Sequence, residues 1–343
     1  MPTVDLQMGA EVKAAPQVVE RQEQFLPASL TPLVARLRQK PPDVVVTCAR
    51  GSSAHAATFG KHLIERYLGI PVAAAAPNIA SVYRQRLRLR DQLFLAISQS
   101  GTSADLVEQA TAAHASGAVT ACITNETGSE LARQCEFILP MAAGPELSVP
   151  ATKTFIASLS ALARLTALWA ADEALARALQ RLPDRLAAAC KLDWSVLVER
   201  IAGADSLVTI GRGPTLAIAR EAALKLKETS NIHAEAFSGA EFLHGPIALV
   251  SSGYPILMFM PTDAAAASMR QLADNLRTEG AALFTTDLDD RTPNRLPALP
   301  PDHPETDPIC LIQSFYLTVV RLSAARGMNA DRPRHLQKIT RTR

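Results

Sequence analysis

Glu221, Lys225 and Glu228 lie four and three residues apart, so on a helix they share one face and bring two carboxylates to one ammonium. Such a set can shuttle a proton between adjacent atoms of a substrate, or it can be a solvent-facing ion-pair ladder worth little. Against the ladder, Ala222, Ala223, Leu224 and Leu226 leave this helix only a narrow polar stripe. Immediately downstream, His233, Glu235, Glu241 and His244 crowd between Gly and Pro turns, a dense group for a structural loop. Neither H-x-x-x-H nor H-E-x-x-H spacing occurs there, and the pattern does not point to zinc. A second candidate is Ser98-Gln99-Ser100-Gly101-Thr102-Ser103, directly after the apolar residues 93–97. Hydroxyl and amide side chains around one glycine, between a strand and a helix, can cradle a phosphate on free N–H groups and the helix dipole. The same run can equally be a strand-to-helix turn with N-cap serines. It has neither the P-loop lysine nor G-x-G-x-x-G, so a phosphate ligand here would be a small metabolite and not a nucleotide.

These residues need a scaffold, and the chain supplies an alternating one. Short apolar runs at 43–47, 93–97 and 119–124 alternate with helical patterns at 54–68 and 104–116. Strands buried on both faces read this way, and the alternation predicts a parallel sheet with crossover helices. The pattern then repeats at a lag of about 162 residues. Val46-Thr47-Cys48-Ala49-Arg50-Gly51 aligns with Val208-Thr209-Ile210-Gly211-Arg212-Gly213, and residues 94–97 align with 256–259. Two copies of one α/β unit are expected, joined by a helical stretch from 155 to about 197. The copies differ: Met260-Pro261-Thr262 stands where the first has Ser98-Gln99-Ser100, while the acid–base helix belongs to the second alone. The prolines of residues 293–308 predict an ordered surface connection, and the polar tail 331–338 is expected to fray unless something pins it.

Composition sets the outer limits. The 343 residues allow two domains, and 48% hydrophobic with 20% charged residues describes a globular protein. A net charge of +2 does not mark nucleic acid or membrane as the main partner. Arg84, Arg86, Arg88 and Arg90 read as a solvated face. Cys48, Cys122, Cys135, Cys190 and Cys310 are scattered and odd in number, which argues against a disulfide framework and for a reducing compartment, the cytoplasm. Residues 1–11 show no signal-peptide pattern, and the apolar helix near 155–171 carries Arg164 and reads as a buried domain helix.

An ordered set of motifs resembles the sugar isomerase (SIS) domain family. It comprises Ser98 to Ser103, Ala151-Thr152-Lys153, Glu221 to Glu228, His233-Ala234-Glu235-Ala236, His244 to Leu249, Asp331 to Arg334 and Leu336-Gln337-Lys338. From about Met8 onward the chain is similar to the isomerase half of glucosamine-6-phosphate synthase. Ala49-Arg50-Gly51-Ser52-Ser53 brings it nearer to SIS-type glucosamine-6-phosphate deaminases, although Ala54 stands where their closest members would have an acidic residue. The resemblance implies an α/β fold of two tandem SIS subdomains, each a flavodoxin-like parallel sheet flanked by helices in three layers. The expected division is a helical segment at 1–40, a phosphate-binding subdomain at 41–180, an acid–base subdomain at 195–330 and an active-site tail at 331–343. No glutaminase domain with its N-terminal cysteine precedes Cys48, so the expected reaction is catabolic: glucosamine 6-phosphate and water to fructose 6-phosphate and ammonia.

The resemblance also distributes roles. Ser98, Gln99, Ser100 and Ser103, with Ser53 alongside, would hold the phosphate, and Val149 and Ala151 would contact the sugar. Glu228 would be the base for C1/C2 proton transfer, with Lys225 steering the proton and Glu221 supporting it. His244 would open the ring and would come from the neighbouring subunit of a homodimer, while Lys338 would close over the substrate. No cofactor or metal is expected. Three alternatives stay open: an isomerase for another sugar phosphate, a synthase-like isomerase without a glutaminase, and a sugar-phosphate-sensing regulator. For the last, the residues before Asp43 show no helix-turn-helix pattern.

Overall fold

The structure is a computed structural model that describes residues 6–289 and 291–338. The chain forms two compact units. One comprises Ala15–Glu146 and Lys153–Gln180 with Gln337 and Lys338; the other comprises Leu147–Thr152 and Arg181–Leu336 with the N-terminal residues through Ala14.

In the first unit, β1 (Val45–Ala49), β2 (Val72–Ala74), β3 (Leu93–Ser98), β4 (Val119–Thr124) and β5 (Phe137–Pro140) form one sheet in the order β2-β1-β3-β4-β5. Every pairing is parallel. Each residue of β3 and β4 is buried, as expected for strands covered on both faces. The strand order reverses between β1 and β3, and ligands of such sheets bind beyond the carboxyl ends of the strands at that switch point. The loops that leave there are Arg50-Gly51 and Gln99 to Ser103. The helix after β1 spans Gly51–Leu68, three residues earlier than its apolar periodicity suggests, so Ser53 sits in its first turn. Helix Ala15–Gln39, which contains Pro27 and Pro32, packs on helix Lys153–Ala170. The buried Gln22 amide joins that contact by donating to the carbonyls of Met141 (3.1 Å) and Ala157 (2.9 Å).

The second unit repeats the plan with one strand fewer. Strands β6 (Ser206–Gly211), β7 (His233–Ser238), β8 (Pro255–Met258) and β9 (Ala282–Thr285) are all parallel, in the order β7-β6-β8-β9. The internal repeat is therefore a repeat of topology, and the chain has two α/β subdomains of parallel sheet flanked by helices. Helix Thr215–Ser230 crosses from β6 to β7 and packs on helix Asp307–Ala325. That last helix is long and apolar enough to span a bilayer by composition, but 72% of its apolar window is buried within the protein. The Phe259 ring meets Trp194 at 6.4 Å and Phe315 edge-on at 6.0 Å. Trp194 Nε1 donates to the Pro297 carbonyl at 2.8 Å and Leu296 is fully buried, so the Pro-rich connection is anchored in the core at that end.

Helix Thr215–Ser230 starts close against the end of β6. A Cβ on Gly211 would lie 2.3 Å from the Thr215 carbonyl oxygen, a backbone atom that cannot turn aside. Gly211→Ala is expected to push the start of the helix outward and to destabilise the unit by about 1–3 kcal/mol. Chemical denaturation followed by circular dichroism measures this.

Candidate active site

Helix Thr215–Ser230 carries its charged stripe inward. Glu221 and Lys225 have no exposed side-chain surface, and Glu228 keeps 20%. Lys225 Nζ lies 3.3 Å from Glu221 Oε1 and 2.5 Å from Glu228 Oε2, and Tyr316 donates its hydroxyl to Glu221 Oε1 at 3.1 Å. A surface ladder is ruled out by this burial. Burial alone pushes the Lys225 ammonium down, but Glu221 and Glu228 together outweigh it, and the lysine titrates above its ordinary range. Two carboxylates and one ammonium make a set of net charge −1, of which only Glu228 is open. It borders a cavity of about 600 Å³ that Lys227, Arg332, Arg334 and His335 also line. A carboxylate facing a space edged by cations suits proton transfer on an anionic substrate.

At the switch point of the first sheet, the hydroxyl run leaves β3 as a tight turn. Ser98 Oγ accepts the Gly101 N–H at 3.2 Å, and Gly101 has φ +62°, a conformation that favours glycine. A Cβ there would also stand 2.1 Å from Ser129 Oγ. Ser103 occupies the N-cap of helix Ala104–Ala115, but its side chain makes no capping bond. Ser100 and Thr102 bond to each other at 2.9 Å near the surface. The hydroxyls are thus not consumed by capping, and a phosphate could take them over. Arg50, at the end of β1, places Nε (3.0 Å) and Nη2 (2.6 Å) on Asp105 Oδ2 in the first turn after the run. The corresponding run after β8 differs, since Thr262 spends its hydroxyl on Asp307 at 2.8 Å.

The remaining candidates are placed as follows. Val149 and Ala151 are half-buried, and the Val149 N–H donates to the Asp331 carbonyl at 3.0 Å. Lys338 Nζ reaches Glu146 Oε2 at 3.1 Å. The tail is thus pinned at Asp331 and at Lys338 instead of frayed; residues 339–343 lie outside the described residues. His244 is exposed just after the short helix Gly239–Phe242, beside the exposed Leu243. Sequence patterns did not flag Tyr316, Asp105 or Glu11. Glu11 is buried and accepts the N–H groups of Leu147 (2.5 Å) and Ser148 as well as the Ser148 hydroxyl. Only an apolar helix with a lone tyrosine, and a lone glutamate in the amphipathic helix Gln7–Lys13, could have hinted at them. Among the described residues no three His, Cys, Asp or Glu side chains gather as a metal site.

Two parallel sheets flanked by helices, one with a hydroxyl-rich loop at its switch point and one with a buried, ion-paired helix, match the two-subdomain plan of sugar-isomerase domains. The SIS domain family matches residues 40–168 and 200–290, and the chain belongs to that family. It is 36% identical over 313 residues to the isomerizing glutamine–fructose-6-phosphate aminotransferase of Symbiobacterium thermophilum, covering 86% of this chain and 51% of that protein. The chain thus spans about half the length of the curated relatives it matches. Among solved structures, a chain provisionally assigned as a phosphosugar isomerase from Silicibacter pomeroyi DSS-3 superposes with TM-score 0.91 at 42% identity, over 95% of this chain and all of that one. The glucosamine-6-phosphate deaminase of Thermotoga maritima shares the fold, with TM-score 0.77 at 22% identity over 98% of this chain and all of that one.

Removing the cation from the buried set leaves Glu221 charged in the core. Lys225→Met is expected to cost about 3–5 kcal/mol, measured by urea unfolding. Because the folded lysine titrates above its unfolded value, this contribution is complete below the ordinary lysine pKa, roughly 10.4, and is lost as pH rises through the folded value. The stability gap between parent and variant is therefore expected to stay level from about pH 7 to pH 9.5 and to shrink at higher pH.

Proposed function

We propose that the chain is a sugar-phosphate aldose–ketose isomerase whose reaction is the deamination of glucosamine 6-phosphate: with water, it gives fructose 6-phosphate and ammonia. The observation that carries this reading is the buried Glu221–Lys225–Glu228 set with Glu228 alone open to a cavity. Moving a proton from C2 to C1 of an opened 2-amino aldose needs one carboxylate that reaches both carbons, and Glu228 is that base. Lys225, held as an ammonium, fixes the Glu228 carboxylate and stabilises negative charge as the enolamine forms; Glu221 and Tyr316 hold Lys225 in turn. Water then adds to the C2 imine and ammonia leaves, a step that needs no cofactor and no substrate besides water.

Ser98, Gln99, Ser100 and Ser103, with Ser53, hold the phosphate in this reading. Val149 and Ala151 line the sugar, and Lys338 closes over it. His244 exchanges the ring-oxygen proton and is donated by a second copy of the chain. In support, an exposed histidine next to exposed Leu243, with exposed Leu249 close behind, suits burial against another copy. The five free cysteines suit a reducing compartment, the cytoplasm.

Incubation with glucosamine 6-phosphate, following ammonia and fructose 6-phosphate together, tests the reading. Equal amounts of both products are expected. Interconversion of an unaminated aldose and ketose phosphate without ammonia release would move the assignment to a plain isomerase. Glu228→Gln is expected to lower kcat by at least about a thousandfold while substrate affinity changes little. Near-parental turnover in that variant would remove Glu228 as the base.

A further inference from the structure

We propose that Glu146 is a positioning residue for Lys338, seating the C-terminal tail by charge. The inference rests on the reading of Lys338 as a substrate-facing lysine and adds the group that sets its place. Glu146 has no exposed side-chain surface, whereas Lys338 keeps 26%. The carboxylate is fully engaged: Oε1 accepts the Thr154 N–H at 3.1 Å, and Oε2 accepts the Thr154 hydroxyl at 2.7 Å and the Lys338 ammonium at 3.1 Å. Thr154 lies in the first turn of helix Lys153–Ala170, whose free N–H groups and dipole favour an anion. Lys153, the neighbouring cation, is directed elsewhere, onto the Pro145 carbonyl at 2.6 Å.

Between its anchor at Asp331 and Lys338 the tail is largely exposed. Arg332, Arg334, His335, Leu336 and Gln337 are exposed, and Leu336 buries only part of its side chain. A buried carboxylate left without its cation is strongly unfavourable, so Glu146 selects the one tail conformation that brings Lys338 to it. The same pairing keeps the Lys338 amine at one address between turnovers instead of sweeping through solvent. Glu146 therefore acts through Lys338 and through the tail's position, without contact to substrate.

Trypsin cleavage after Arg334, in the full chain without substrate, reads the tail directly. Glu146→Gln and Lys338→Gln are each expected to speed this cleavage about tenfold, with the double variant no faster than the quicker single. Glu146→Asp, which keeps the charge, is expected to recover part of the protection. Parental cleavage in Glu146→Gln, or effects that multiply in the double variant, would overturn the pairing. Should Glu146→Gln not fold by circular dichroism, the Lys338→Gln rate decides alone, and a parental value overturns the proposal. The activity arm separates the two readings. A parent that releases no ammonia defeats the deaminase assignment and leaves the tail result standing. An active parent whose tail ignores Glu146 defeats the positioning role alone.

Discussion

A lysine with no exposed surface is the constraint around which the second unit is arranged. Its ammonium has left water entirely, and only opposite charge at close range can compensate. That requirement sets the face of helix Thr215–Ser230 that turns inward, because Glu221 and Glu228 must flank Lys225. It brings in helix Asp307–Ala325, whose Tyr316 completes the bonding of Glu221. Ala219, Ala222 and Ala223 are all buried on the same helix, and their small side chains allow close packing around the charged stripe. Gly211, at the end of β6, then sets where that helix can start. The polar set is satisfied on every side but one, and that side is Glu228.

The two sheets show how a duplicated architecture can diverge in its loops. Both have a switch point, and both send a loop from the third strand of the unit toward a helix. After β3 the Ser103 side chain makes no capping bond, Ser100 and Thr102 bond only to each other and to nearby backbone, and the turn is held by the Gly101 N–H on Ser98 Oγ. After β8 the loop is tied to the start of helix Asp307–Ala325: Thr262 bonds Asp307, which also pairs with Arg185 at 3.0 Å. Burial raises the Asp307 carboxyl above its ordinary range despite those partners. One loop keeps hydroxyls that bond locally near the surface, and the other is bonded to a buried carboxylate.

How much of this the sequence discloses depends on range. The strands were legible because run 93–97 is apolar at every position and run 119–124 is interrupted only by β-branched threonines, a pattern that suits a doubly covered strand. The duplication was legible because residues 46–51 and 94–97 recur at the same lag as 208–213 and 256–259. The fate of Glu221, Lys225 and Glu228 was not, since an exposed ladder and a buried triad have the same spacing. What decides between them is Tyr316, ninety-five residues away. The choice between N-cap serines and a phosphate cradle likewise depends on torsions that any Ser-Gly-Thr run can adopt. The tail lacked a local signal altogether, because its partners, Glu146 for Lys338 and Val149 for Asp331, are far upstream. Polar tails read as frayed when the contacts that hold them are ionic and distant.

Asp331 has one more role that bears on how the chain is made. Its carboxylate accepts the N–H groups of Gln7 at 2.9 Å and Met8 at 2.7 Å, so it caps the helix Gln7–Lys13 across 324 residues of sequence. That helix supplies Glu11, which in turn orders Leu147 and Ser148 next to Val149. During synthesis, this helix must wait for a residue made 324 positions later before it is capped. The segment Leu147 to Val149 is therefore among the final parts of the second unit to set, after its four strands and its charged helix can already have formed. A nascent chain can thus hold a folded sheet before Asp331 meets the helix Gln7–Lys13.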